Sequence, residues 1–364
     1  MNPISELMAI LNGHFSWNKS RMACFATLIL ALIKVRTVNL VELACAFGSS
    51  AKTDSRYKRI KRFFSQFEID FSLVASWVMR LFNLLNEPVH LSMDRTNWCW
   101  GKSDINILML SVIYKGIALP LFWCLLPKFG NSDTAERITL IQRFIVQFGK
   151  EKITGLLADR EFIGDDWIGW LLQEKIPFCI RIKSNTITTN ARGLEVDIDA
   201  LFHDLKSGDQ RVLQDKRKLW KQRVYFSALR LASGELLIVA ADKFLEEPIK
   251  LYGKRWQIET LFGCLKSKGF GFEETHITKP ERIGKLIALL TITFCWAHRI
   301  GEWRHEEKAI PIKKHGRLLQ SYFRYGLDYL RDILLNGMCQ LIIDKFAKLL
   351  DILRFAGNVR EVSV

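Results

Sequence analysis

Four side chains in one stretch have types and spacing suited to phosphoryl chemistry. Tyr252, Arg255, Glu259 and Lys266 lie at offsets of 0, 3, 7 and 14 in a run that reads as a helix from Pro248 to about Lys268. Proline is favoured in the first turn of a helix, so Pro248 marks the start. At ~100° per residue the four side chains fall within an arc of roughly 60°. Leu251, Ile258, Leu261 and Leu265 fall on a different arc, suited to packing on a sheet. One acid between two cations and a phenol can bind a metal ion through its carboxylate. Arg and Lys contact phosphates on either side, and Tyr adds a donor. The plainer reading is an amphipathic helix whose charges serve solubility.

Two further acids, Asp94 and Asp159, each follow a short apolar run, 89–93 and 153–158. A carboxylate at a strand end is held half out of the core, where a cation and a phosphate can reach it. Asp is also a common turn residue, so either one alone has an ordinary explanation. Arg160, Glu161 and Phe162 follow Asp159 and concentrate charge at that edge. In-line transfer of a phosphodiester uses two divalent cations about 4 Å apart. Mg²⁺, or Mn²⁺ in its place, takes oxygen ligands and keeps several waters, so a few carboxylates suffice. The expected catalytic and metal-binding set is Asp94, Asp159 and Glu259. Asp94 would bridge both ions, and the other two would hold one each.

The elements that must position these groups follow from periodicity. Residues 1–85 read as helical, with a continuous apolar run at 22–35 and a second short helix at 38–47, stopped by Gly48. Lys52, Arg56, Lys58, Arg59, Lys61 and Arg62 then crowd a segment in which Tyr57, Ile60, Phe63 and Phe64 keep helical spacing. A basic amphipathic helix after a short helix and a Gly-Ser-Ser turn suits DNA docking. A solvated face is the commoner meaning of such a run. From residue 86 the pattern becomes strand, hairpin, helix, strand, helix, strand, with Ser132 as the cap of the first helix. That is the order of a ribonuclease H-like α/β core. Residues 184–234 interrupt it as an inserted β-rich subdomain, and 235–241 return as a buried strand. Helices resume with 280–303. The expected organisation is a helical DNA-binding domain at 1–85, a catalytic domain at 86–275 and a C-terminal helical region at 276–364. The apolar stretch 105–126 is long enough for a membrane span, but Lys115-Gly116 at its middle marks a buried hairpin instead.

Tyr252, Arg255, Glu259 and Lys266 match the Y-x2-R-x3-E-x6-K spacing, and the chain here resembles the DDE insertion-sequence transposases with the YREK signature, the insertion-sequence-four-like family. The segments SMDRTNW around Asp94 and LLADREF around Asp159 are similar to that family's first two acidic motifs. The resemblance covers roughly residues 20–300. It implies Mg²⁺-dependent cutting at the terminal inverted repeats of a mobile element, then 3′-hydroxyl attack on target DNA. It implies a β-rich insertion in the catalytic core and a homodimer on DNA paired by the C-terminal helices. Arg56, Lys58, Arg59, Lys61 and Arg62 would bind the inverted repeat, and Tyr252, Arg255 and Lys266 would contact DNA near the cut. Family members tend to form a DNA hairpin with a base flipped onto an aromatic ring. Trp220, among Lys218, Lys221 and Arg223, is the candidate for that stacking.

Composition agrees with these readings. Lys and Arg number 53 against 38 acids, a net charge of +15 that favours an anionic partner. With 49% apolar residues, a large core is available. The eight cysteines form no C-x-x-C pair, and the start, MNPISELMAI, lacks a signal-peptide pattern. A reducing cytoplasm, close to the bacterial nucleoid, is the expected location. Two other classes compete: a different ribonuclease H-fold DNA nuclease, and an inactive transposase relative that represses by binding DNA. The Tyr-Arg-Glu-Lys stripe speaks against the first, and the intact acids speak against the second.

Overall fold

Short polar caps and buried apolar stripes build the first helices. α1 (Pro3–Phe15) leads to α2 (Lys19–Val35), where the Asn18 side chain accepts from the Arg21 amide. Asn39 caps α3 (Leu40–Cys45), α4 (Thr53–Gln66) buries Ile60, Phe63 and Phe64, and Asp70 caps α5 (Phe71–Leu81). Such caps satisfy amides that have no partner inside the helix. The computed structural model describes residues 3–101, 103–314, 316–336 and 340–354; Cys339 lies outside them. The chain divides into two compact units. One comprises residues 1–85, 98–105 and 262–364, and the other comprises 86–97 and 106–261.

The second unit is built on a mixed sheet; the end of β1, the start of β2 and the end of α9 are counted with the first. β1 (Val89–Trp100), β2 (Ser103–Tyr114) and β3 (Ile117–Leu125) come first, followed by α6 (Thr134–Phe148) and β4 (Ile153–Ala158). Then come α7 (Asp165–Gln173), β5 (Phe178–Ile182), β6 (Ile187–Thr189), β7 (Glu195–Asp197), β8 (Gln210–Val212) and β9 (Arg217–Leu219). β10 (Gln222–Arg230), β11 (Leu236–Ala241), α8 (Pro248–Gly253) and α9 (Trp256–Leu265) complete the series. The sheet runs β3-β2-β1-β4-β5-β11-β10-β8, with β9 paired to β10. β4 lies parallel to both β1 and β5, and β11 is antiparallel to β5. A hairpin on one edge, a central first strand and two parallel strands beyond it make a ribonuclease H-like core.

The apolar stretch 105–126 is the β2–β3 hairpin. Tyr114 pairs with Ile117, leaving Lys115 and Gly116 as a two-residue loop with φ of 39° and 91°. Loops of that length need positive φ, which glycine supplies without strain. α6 starts one residue later than expected. Asp133 is its cap and forms a reciprocal pair with Glu136, while Ser132 instead accepts from the Arg137 guanidinium. Residues 184–234 are β-rich, but β10 pairs along β11 and so extends the main sheet. Within this unit only the β6–β7 pair forms a separate sheet among the described residues.

The helix expected from Pro248 to about Lys268 is broken. α8 ends at Gly253 and α9 begins at Trp256. Between them the amides of Lys254, Arg255, Gln257 and Ile258 bond to carbonyls three residues back, which tightens the turn. Arg255 sits in that break.

The first unit closes with α10 (Pro280–Glu307), α11 (Tyr322–Leu335) and α12 (Gln340–Asp351). α10 is long and apolar enough to cross a membrane, but 94% of its apolar window is buried by protein, as in a core helix. It packs on α2, α4, α5 and α11. Gly301 and Gly326 let α10 and α11 approach closely: a Cβ on Gly301 would strike the Tyr322 carbonyl, and one on Gly326 the Ala297 carbonyl.

Candidate active site

Strand register places the first two acids together. Met93 of β1 pairs with Ala158 of β4. Asp94 is the next residue of β1, which runs on to Trp100, and Asp159 directly follows β4, so the two emerge side by side. Asp94 thus lies within its strand and not at the strand end expected from the apolar run 89–93. Each carboxylate accepts from the following amide, Asp94 from Arg95 and Asp159 from Arg160, both at 2.7 Å. Glu259 comes from the first turn of α9.

The group that joins them is Arg255. Its Nη1 donates to Asp94 Oδ2 at 3.2 Å and its Nη2 to Glu259 Oε1. Its Nε donates to the Tyr252 hydroxyl at 3.1 Å, and that hydroxyl donates to Asp159 Oδ1 at 3.3 Å. The guanidinium also lies 5.7 Å from the Tyr252 ring centre and 5.2 Å from that of Trp256. Arg255 is 3% exposed and Tyr252 2%. Tyr252 packs on Leu157, Cys179 and Val239, which anchors α8 to β4, β5 and β11. Both residues therefore face the carboxylates from inside, where sequence spacing alone had suggested a surface stripe toward DNA.

Electrostatics follow from this burial. Asp94 is pushed up to about 6, first by burial, with Glu161 and Glu259 adding to the shift and the Arg95 amide and Arg255 opposing it. Burial works against the Arg255 charge, yet Tyr252, Asp94, Glu259 and Asp159 outweigh it and hold the guanidinium above its usual range. Burial raises the Tyr252 phenol, so it stays a neutral donor. Among the described residues no three Asp, Glu, His or Cys side chains share one ion-sized space. The carboxylates are arranged around the Arg255 cation. Their donor atoms are all carboxylate oxygen, which fits a hard divalent ion.

A supporting layer was not evident from spacing. Arg95 donates from Nε and Nη2 to Glu161, each at 3.2 Å, and from Nη1 to Asn106 at 3.1 Å. Arg137 on α6 is 4% exposed and donates to the carbonyls of Ser132, Glu161 and Ile163. It thereby ties down the loop after Asp159. A signal existed: Arg137, Leu140, Ile141, Phe144 and Phe148 share the buried stripe of α6, so a cation stands in apolar register. Trp256, 58% exposed, lies beside Arg255, and no spacing in the sequence sets it apart.

The other expected residues take other partners. Lys266 follows α9 in the helical unit, where its Nζ pairs with Glu273 at 2.7 Å and lies 5.2 Å from the Trp98 ring centre. Trp220 and Lys221 form the two-residue loop between β9 and β10, since Leu219 pairs with Gln222. Trp220 is half-buried with a φ of 53°, a strained value for an aromatic residue. On α4, Lys58, Lys61 and Arg62 are exposed. Arg56 instead donates to the carbonyls of Ala44, Cys45, Ser49 and Ala51. Arg59 reaches the Ser20 carbonyl at 3.4 Å. Carbonyls at the end of α3 have no helical partner, and Arg56 supplies the donors.

Comparisons with known proteins bear on this site. A family model described as "Transposase DDE domain" matches residues 92–296, more than half of the chain and a span that holds Asp94, Asp159 and Glu259. No curated protein matches. Among solved structures, the piggyBac transposase synaptic complex with hairpin DNA is similar over 95% of this chain and 82% of that one, at 11% identity and a TM-score of 0.49.

Proposed function

We propose, since this chain belongs to the DDE transposase family, that it binds the terminal inverted repeats of an insertion sequence, cuts the DNA ends and joins them to target DNA. The carrying observation is the gathering of Asp94, Asp159 and Glu259, from two adjacent strands and a helix, around one buried guanidinium. In this reading Asp94 would be shared between two divalent ions, Mg²⁺ or Mn²⁺, and Asp159 and Glu259 would hold one each. Bound there, such ions polarise a phosphodiester and supply a nucleophile at neutral pH. Arg255 and Tyr252 hold the carboxylates in place and balance their charge. Arg95 and Arg137 keep the loop after Asp159 from moving away. The Tyr-Arg-Glu-Lys spacing supports membership of the insertion-sequence-four-like group. Lys58, Lys61 and Arg62 on α4 contact the inverted repeat, Lys266 contacts the end near the cut, and Trp220 stacks on a flipped base. Two copies pair on DNA in a reducing cytoplasm.

The test uses purified protein, Mg²⁺ and a plasmid carrying the inverted repeats that flank the coding region. Asp94→Ala, Asp159→Ala and Glu259→Gln are each expected to abolish cleavage while end binding persists. Cleavage at the wild-type rate by Glu259→Gln would remove the catalytic assignment. A wild-type protein that binds the ends and never cuts them would favour the repressor reading.

A further inference from the structure

The helical unit contains a cavity of about 270 Å³ between α3, α4 and the segment leading into α10. It shares no residue with the carboxylate cluster. Val41, Phe64 and Ile277 give it an apolar side, and Lys61, Lys279 and Arg282 line it with positive charge. No carboxylate lines it among the described residues. Three cations around so small a space repel one another unless an anion is shared between them. Other cations of this unit do have acids: Arg36 and Arg324 pair with Asp328, and Lys266 pairs with Glu273. The nearby acids Glu68 and Glu281 act on Lys285, whose Nζ also donates to the Phe64 carbonyl.

Two further observations point to a ligand. The Nε of Arg282 is buried and has no hydrogen-bond partner among the described residues. A buried donor of that kind needs an acceptor. His276, which lines the cavity, stacks on Trp100 with ring centres 4.3 Å apart, and Trp100 is 38% exposed. Lys61 is steered toward the same space, its Nζ lying 5.6 Å from the Tyr57 ring centre. Because Lys61 belongs to α4, the cavity continues the exposed basic face formed by Lys58 and Arg62.

We propose that this cavity seats one backbone phosphate of a DNA strand, with its deoxyribose against Val41 and Phe64 and an adjoining base on the Trp100–His276 pair. Guanidinium and ammonium donors around one site match phosphate oxygens. The apolar side and the exposed ring pair suit a nucleotide better than a bare anion. The assignment rests on the reading of the chain as a DNA-binding transposase.

The test is fluorescence anisotropy of the full chain with a labelled duplex from the flanking inverted repeat, across a salt series. The Lys279→Gln/Arg282→Gln double variant is expected to weaken binding about tenfold and to flatten the salt slope by about one. Val41→Glu, which adds a carboxylate at a position already 53% exposed, should weaken binding without loss of fold. Wild-type affinity and slope in both variants, each folded by circular dichroism, would overturn the site. Thermal stabilisation of wild type by inorganic phosphate equal to that by duplex, and lost in the double variant, would make it a free-anion site and overturn the DNA assignment. If wild type itself binds no duplex, the transposase reading fails first, and the two failures are thereby distinguished.

Discussion

Arg255 changes how the candidate site reads at the scale of single residues. It stands between Asp94 and Glu259 and reaches Asp159 through the Tyr252 hydroxyl, so one buried cation organises three acids. Asp94 still holds its proton more tightly than a free carboxyl, with a pKa of about 6 caused first by burial. A carboxyl whose folded pKa lies above its unfolded value favours folding in its protonated form. That contribution is complete below the unfolded value and is lost as pH rises through the folded one. In chelator, the melting temperature of wild type relative to Asp94→Asn should therefore fall as pH climbs from about 4 to about 6, the interval between an ordinary Asp and this one. A difference that stays constant, or rises, across that interval would show that Asp94 ionises like an exposed acid. Asp94 and Asp159 were legible in the sequence because each follows an apolar run, and Glu259 because it keeps helical spacing with Tyr252, Arg255 and Lys266. Arg255 was read in a surface stripe, since periodicity alone cannot show that a helix breaks at 254–255 and turns its arginine inward.

Elements decide how firmly the acids are held. The parallel register of β1 and β4 sets Asp94 beside Asp159, and α6 secures the loop that follows through Arg137. Its guanidinium donates to the carbonyls of Ser132, Glu161 and Ile163, so removing it takes a donor from each. Arg137→Met keeps much of the volume and loses the donors. It is expected to cost on the order of 3 kcal/mol in stability and to lower the cleavage rate. Denaturant titration and a cleavage time course check this. Lost stability with an unchanged rate would make Arg137 a fold residue alone. The strand and helix order was readable because alternation and helical spacing are local. The place of β10 was not, since its strand pattern is equally compatible with a detached insertion. Only its pairing with β11 makes it part of the main sheet. Arg56 is a parallel case: its charge fits a DNA-facing run, but the end of α3 uses it as a donor.

For the whole molecule, the net charge of +15 is the broadest statement about a partner. Lys58 and Arg62 are exposed cations of α4 outside the cavity. Replacing both with Gln should flatten the salt dependence of duplex binding by about two, at ~0.9 for each phosphate no longer neutralised. An unchanged slope would place the DNA-binding face on another surface. What the sequence by itself determined is the order of elements and the ribonuclease H-like core, because each depends on residues near in the chain; it did not show that β1 runs on through Asp94 to Trp100. The tertiary structure alone decided which charges are buried and which partner each one takes. Arg255 and Asp94 are 161 residues apart, and Tyr252 and Asp159 are 93 apart. Burial and ion pairing are settled by groups that distant in the chain, which no local pattern records.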